Sequence, residues 1–187
     1  MHAALEIYHN TQKYSADPRI QIEMKAHSEF MKTFNKMFPD WEVVLTEALL
    51  FHEDPDCAKK PHGECSPWFG GSCDIMVRNS KTGKIGFLDW KRVPDIDPHS
   101  SGKKGKSYPF DQYKWNKFLK YSLQLWLYMR TAERTCDMVG DPSMLIIVAI
   151  HPDIPGKHYA FHRAANLAHI ADYMLDNYRK IMRTAVK

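Results

Sequence analysis

The chain has 187 residues, which suits one domain better than two. With 44% apolar, 12% aromatic and 26% charged residues it belongs with ordinary globular proteins, not disordered or fibrous ones, and it can bury a core without disulfide staples. The net charge is only +4 and no run of 18 apolar residues occurs; nor does a basic segment leading into an apolar stretch open the chain. Neither a membrane span nor a secretory leader is therefore expected, and an intracellular location, cytoplasm or nucleus, is.

Residues 1–17 show weak patterning and are expected as an irregular or partly helical arm. Over residues 21–38, Ile22, Ala26, Phe30, Phe34, Met37 and Phe38 recur at helical spacing, and Pro39 ends the helix. Residues 41–51 (WEVVLTEALLF) have the branched, apolar character of a strand. The Pro- and Gly-rich stretch 52–71 is expected as a long loop that closes on a Gly70-Gly71 turn. Strands follow at 72–78 (SCDIMVR) and 85–90 (IGFLDW), joined by the tight connection 79–83, as an antiparallel meander. Residues 92–112 form a flexible basic flap. A helix is expected over 113–134, a buried central strand over 144–151 (MLIIVAIH) between Pro142 and Pro152, and a last helix over 164–182. Helix, three strands, helix, strand, helix makes a single-domain α/β sandwich around a mixed sheet.

Two acids occupy costly positions. Asp74 interrupts an apolar strand, between Cys73 and Ile75-Met76-Val77, and Asp89 ends another behind Phe87 and Leu88. A carboxylate in such a place requires a partner charge or a metal. Lys91 follows Asp89 by two residues, so both side chains share one face of the strand. Converging carboxylates form a hard oxygen site suited to Mg2+ or Mn2+, and a lysine beside them can act on a metal-activated water or on charge developing at phosphate. A simple strand-end salt bridge between Asp89 and Lys91 accounts for that pair taken alone. Gln124 and Tyr128, one turn apart, share a face of the 113–134 helix, and a buried Gln needs a hydrogen-bond partner.

Gly71-x-x-Asp74, then Asp89-x-Lys91, then Gln124-x-x-x-Tyr128 resembles the PD-(D/E)xK nuclease superfamily. GFLDWKR (86–92) and KYSLQLWLYM (120–129) are similar to its RecB-type branch, which includes viral and phage nucleases and mitochondrial genome maintenance exonuclease. The resemblance spans residues 29–128. It implies a restriction-endonuclease-like sandwich, with a central mixed sheet of about four to five strands flanked by helices. It further implies a DNA nuclease that uses Mg2+ or Mn2+, with exonuclease favoured over endonuclease, in replication, recombination or repair, and a viral source fits. Asp74 and Asp89 would bind the metal, Lys91 would help activate water, and Gln124 and Tyr128 would support the site and contact DNA. Glu47 matches an acid on the preceding strand and would be a further ligand. His27 or Glu29, on the first helix, are the other candidates for that place, although the glycine that often precedes the helix histidine is replaced here by Met24-Lys25. The identity of this last ligand stays open among the three.

Between residues 92 and 120, seven basic residues face three acids, an excess equal to the net charge of the whole chain. Arg92, Lys103, Lys104, Lys106, Lys114 and Lys117, with Tyr108, Phe110, Tyr113 and Trp115 among them, suit phosphate contact and base stacking, so DNA is the expected partner. The chain itself, as a homo-oligomer, or a replication or recombination protein are further candidate partners. A non-catalytic nucleic-acid-binding module is the competing reading, although such a module has no chemical need for Lys91 beside Asp89. The four cysteines are expected as free thiols; a structural zinc site at His52, Cys57, His62 and Cys65 is the alternative, although their spacing is not that of a zinc finger.

Overall fold

The structure is a computed structural model that describes residues 1–53 and 67–185. Strands β1 (Trp41–Glu53), β2 (Pro67–Asn79), β3 (Ile85–Lys91), β6 (Gly140–Ile150) and β7 (Tyr159–Arg163) form one five-stranded sheet in the order β1-β2-β3-β6-β7. Only β3 and β6 run parallel, so the sheet is mixed. Parallel neighbours need a crossover connection, and α3 (Lys117–Thr135) provides it. Short strands β4 (Lys103–Lys104) and β5 (Lys114–Trp115) pair as a separate ribbon.

Alternation along the strands builds two cores, one on each sheet face. From β6, Leu145, Ile147 and Ala149 pack towards α3 and α4 (Ala168–Ala185), while Met144, Ile146, Val148 and Ile150 pack towards α2 (Gln21–Met37). On β3, Phe87 joins the first core and Leu88 and Trp90 the second. Every residue of β6 from Met144 to Ile150 is buried, which explains the unbroken apolar run there. No helix among the described residues is long and apolar enough to cross a membrane.

Several boundaries differ from the sequence expectation. The arm at 1–17, expected as irregular or partly helical, is largely helix α1 (His2–Thr11), which Gln12 ends in the left-handed region at φ 59°. Only Leu5 of α1 is buried, so its sequence carries almost no periodic signal. Gly70-Gly71 makes no turn: it lies inside β2, opposite Phe51 and Leu50 of β1. The α3 helix starts at Lys117 rather than 113, because Asn116 accepts the Leu119 N–H and caps it. Strand β7, a short edge strand of half-buried residues, has no counterpart in the expectation.

The 92–112 segment is tied down by more than its ends. Ile96 is buried in the α3-side core, and the Asn116 amide donates to the carbonyls of Pro98 and Ser100. Gly102 lets the ribbon close, since a Cβ there would lie 2.5 Å from the Trp115 carbonyl carbon. The basic flap is thus a folded lobe beside the α3 N-terminus.

Candidate functional site

The site forms where two strands part. β2 and β3 pair from Arg78–Ile85 to Ile75–Leu88, and the ladder stops there. The next position on each strand is an acid, Asp74 and Asp89. Beyond this fork β3 remains hydrogen-bonded to β6 as far as Lys91–Ala149. The Trp90 N–H donates to Asp74 Oδ2 at 2.6 Å, so a carboxylate takes the place of a ladder carbonyl. A buried N–H must be satisfied, and this bond fixes the Asp74 side chain in the fork.

Across β1, Glu47 leaves the regular strand conformation. Thr46 pairs with Ile75 and Ala48 with Cys73, while Glu47 between them has φ 48°. A non-glycine residue in the left-handed region is strained by roughly 1–2 kcal/mol. The Ser72 hydroxyl donates to Glu47 Oε2 at 2.6 Å. From α1, His2 Nδ1 donates to Asp74 Oδ1 at 3.0 Å. Ligand-type atoms of His2, Glu47 and Asp74 all lie within 4.8 Å of one another. The hydrogen bond to Asp74 raises the His2 pKa against a lowering by burial, so a proton on His2 stabilises this contact.

Asp89 is 2% exposed and sits on the α3 side of the fork. Burial pushes its carboxyl up to about 6, opposed by the charge of Lys91. Lys91 Nζ pairs with Asp89 Oδ2 at 2.5 Å and donates to Gln124 Oε1 at 3.3 Å, with the Tyr121 ring 4.8 Å away. The Gln124 amide donates to Tyr128 Oη at 2.7 Å and, weakly, to Asp89 Oδ1 at 3.5 Å. Tyr128 Oη donates to the Ser72 carbonyl at 2.7 Å. One polar chain therefore runs from Lys91 through Gln124 and Tyr128 back to β2. Gly71 makes room for it, since a Cβ there would lie 2.9 Å from the Tyr128 ring. The glycine expected for a turn is required for this close approach instead.

Of the residues named from sequence, Asp74, Asp89, Lys91, Glu47, Gln124 and Tyr128 converge on the fork. The α2 candidates do not. His27 is buried against Trp90 and Tyr8, with its Nε2 3.0 Å from His9 Nε2. Trp90 points away from Asp89 and Lys91 by strand alternation, so His27 lies on the opposite side of β3. Glu29 is half-buried on the same helix and does not join the His2–Glu47–Asp74 group. Arg92 pairs at 2.8 Å with Glu23, which is 1% exposed, and so satisfies a buried acid rather than extending the lysine patch. Lys103, Lys104, Lys106, Lys114 and Lys117 are exposed on the ribbon and the first turn of α3. Cys57, His62 and Cys65 lie outside the described residues, and the buried Cys73 thiol is held protonated by desolvation. His2 is the one site residue absent from the sequence expectation. It depends on α1 docking over the sheet, and no spacing to another motif announces that.

No family model matches the chain, and no curated protein matches it. Among solved structures the chain is similar to the crystal structure of SSO0001, at 15% identity and a TM-score of 0.38, over 96% of this chain and 71% of that one. So distant a likeness adds nothing to the reading of the site.

Proposed function

We propose that the chain is a divalent-metal-dependent DNA nuclease with a restriction-endonuclease-like arrangement of its site. The observation that carries this reading is the convergence of Asp74, Asp89 and Lys91 at the β2–β3 fork, with Glu47 on one side and Gln124 on the other. The carboxylates of Asp74 and Glu47, whose ligand-type atoms lie within 4.8 Å of each other, are hard oxygen donors that fit Mg2+ or Mn2+, and Asp89 stands across the fork, paired with Lys91. A cation bound there would polarise the phosphodiester and make its bound water a better nucleophile.

The remaining work falls to the chain's own side chains. Lys91 is anchored by Asp89 and Gln124, so its ammonium is held at a fixed place beside the acids. It can donate a hydrogen bond to a phosphate oxygen or pass a proton to the departing oxygen. Asp89, desolvated and paired, keeps Lys91 oriented. Gln124 holds Lys91 on one side and is itself held by Tyr128, so the α3 residues position the lysine. The strain at Glu47 is consistent with a side chain fixed for chemistry rather than for stability.

The test is digestion of linear, covalently closed circular and single-stranded DNA with Mg2+ and with Mn2+. Wild type is expected to degrade linear DNA and spare closed circles, as an exonuclease does. Asp89→Asn and Lys91→Ala are each expected to lower the rate by about 100- to 10,000-fold with the fold retained. DNA binding without metal-dependent cleavage, or full activity in both variants, overturns the reading.

A further inference from the structure

The α3-side face of the sheet is covered unevenly. Helix α3 ends at Thr135, and residues 136–139 return the chain to the start of β6 at Gly140. A groove of about 570 Å3 stands open there, running from β1 across β2 and β3 to residues 137–139. Val44 and Leu45 of β1 wall it at one end and Val139 at the other, with the buried Met76 and Ile85 between them. The Ile85 N–H donates to the Val139 carbonyl at 2.9 Å and fixes the far wall to β3. Val44, Leu45 and Val139 are 39%, 51% and 61% exposed. One exposed aliphatic side chain is ordinary, but three around a hollow with an apolar floor mark a contact surface.

The backbone of β1 contributes to this surface. β1 is an edge strand, and its ladder with β2 slips between Val43 and Leu45. Val44 is the extra residue of that bulge, so two adjacent aliphatic side chains reach the groove where regular alternation would supply one. A bulge also blunts an edge strand against the addition of another strand. Extension of the sheet is therefore disfavoured at this place, and the face of the groove is what stays open to a partner.

The charges at the groove decide which partner fits. Arg78 and Asp137 both line it and both are exposed. Among the described residues neither makes an ion pair, with the other or elsewhere, and Arg78 makes none even with Glu42, its register partner on β1. One cation and one anion around an apolar middle are complementary to the same arrangement turned through a half-circle. A two-fold axis through the groove brings Arg78 of each copy to Asp137 of its partner, with aliphatic contact between the two pairs. Polar groups at the rim and apolar ones at the centre are the usual anatomy of an interface. An uncharged apolar segment would leave both charges unmatched.

We infer that this groove is where two copies of the chain meet, packed groove to groove about a two-fold axis. Contact confined to a groove of this size buries less than the roughly 1,600 Å2 of a standard interface, so the dimer is weak and depends on concentration. The β2–β3 ladder runs from Arg78–Ile85 at the groove to Ile75–Leu88 at the fork. Arg78 and Asp74 are thus separated by roughly 13 Å of strand, at about 3.3 Å per residue, and both forks of the dimer stay open.

Sedimentation velocity on the whole chain tests this, in EDTA and without DNA, so the outcome is independent of the nuclease reading. A reductant keeps the exposed Cys136 from cross-linking copies. Wild type is expected to pass from monomer towards dimer between about 1 and 200 μM. Arg78→Glu and Asp137→Lys should each weaken the dimer by at least about 10-fold, because each copy then meets its own sign twice. Mixed in equal amounts, the two variants should associate again, since a mixed pair restores both opposite-sign contacts. Asp137 lies at φ 54°, where lysine is less at ease than aspartate, so the melting temperature of that variant is measured first. Val139→Asp is the second variant; it should weaken the dimer by at least about 10-fold and melt with wild type. A chain that stays monomeric at the highest concentration overturns the inference. So does a dimer that survives both Arg78→Glu and Val139→Asp, which would place the contact elsewhere, as at the exposed Leu49 and Phe51. Folded single variants that remain monomeric when mixed overturn the two-fold pairing.

Discussion

Consecutive residues of β3 serve two regions built on opposite principles. Leu88 and Trp90 enter the α2 side, where Trp90 meets Phe30 edge-to-face at 5.4 Å and His27 at 5.0 Å, and almost everything is apolar or aromatic. Asp89 and Lys91 enter the α3 side, where the polar chain from Lys91 to the Ser72 carbonyl stands in a gap between strands. The first region gains stability from burial. The second keeps a desolvated carboxylate, a strained Glu47 and a close Gly71–Tyr128 approach, all of which cost stability or narrow the choice of residue. Features retained at such a cost are expected where chemistry occurs.

Substitution of neighbours on β3 should split accordingly. Trp90→Ala empties a site that is 2% exposed, and a loss of about 3–5 kcal/mol is expected. Asp89→Asn removes a charge that burial disfavours, so urea denaturation should show little loss or a small gain while cleavage disappears. If the Asn variant loses as much stability as the Ala variant, the two sides of β3 are not divided in this way.

Acid provides the next largest contrast. Burial lowers His27 to about 3 and His9 to about 4, against 6.5 for a free imidazole. Both are neutral in the folded protein through a range where the unfolded chain is protonated. Between about pH 6.5 and 4 the unfolded state binds more protons at these two histidines, so their contribution to stability falls as pH falls through that window. Docking of α1 is the feature exposed to this, because the His9–His27 pair at 3.0 Å cannot remain when both rings are charged. Melting temperature measured from pH 7.5 to 4 should fall for wild type and fall less for His27→Phe. Equal slopes would show that the pair does not set acid stability. Since α1 also delivers His2 to Asp74, its release should be visible as altered metal binding before global unfolding.

The site was more legible in sequence than the helix that covers it, for a physical reason. Asp74 and Asp89 break apolar strands, so their oddity appears in a window of a few residues, and the Gln124–Tyr128 spacing follows from helix geometry alone. The central strand β6 is legible because both faces are buried. By contrast α1 buries one side chain, β7 buries none fully, and β4 and β5 contribute two residues each. Such elements are held by tertiary packing and leave little periodicity to detect. Gly71 had the right residue and the wrong reason: a glycine that admits a neighbouring ring and a glycine that turns the chain look alike in sequence. His27 illustrates the converse error, because a histidine at a motif-like place on α2 faces the wrong side of β3.

The smallest effect is the most discriminating. Tyr128 Oη touches no residue that would meet phosphate directly; it joins Gln124 to the Ser72 carbonyl. Tyr128→Phe removes both bonds and keeps the ring that packs 6.3 Å from Phe87, so a cost of about 1 kcal/mol in stability is expected. If Gln124 positions Lys91, freeing its amide should let the lysine wander, and turnover should drop by roughly 10-fold with little change in KM. A purely structural tyrosine would leave the turnover of the folded variant unchanged. A change in KM alone would instead place Tyr128 on the substrate. The hydroxyl, although two links from the Lys91 ammonium, therefore reports whether the α3 side of β3 works as one positioned unit.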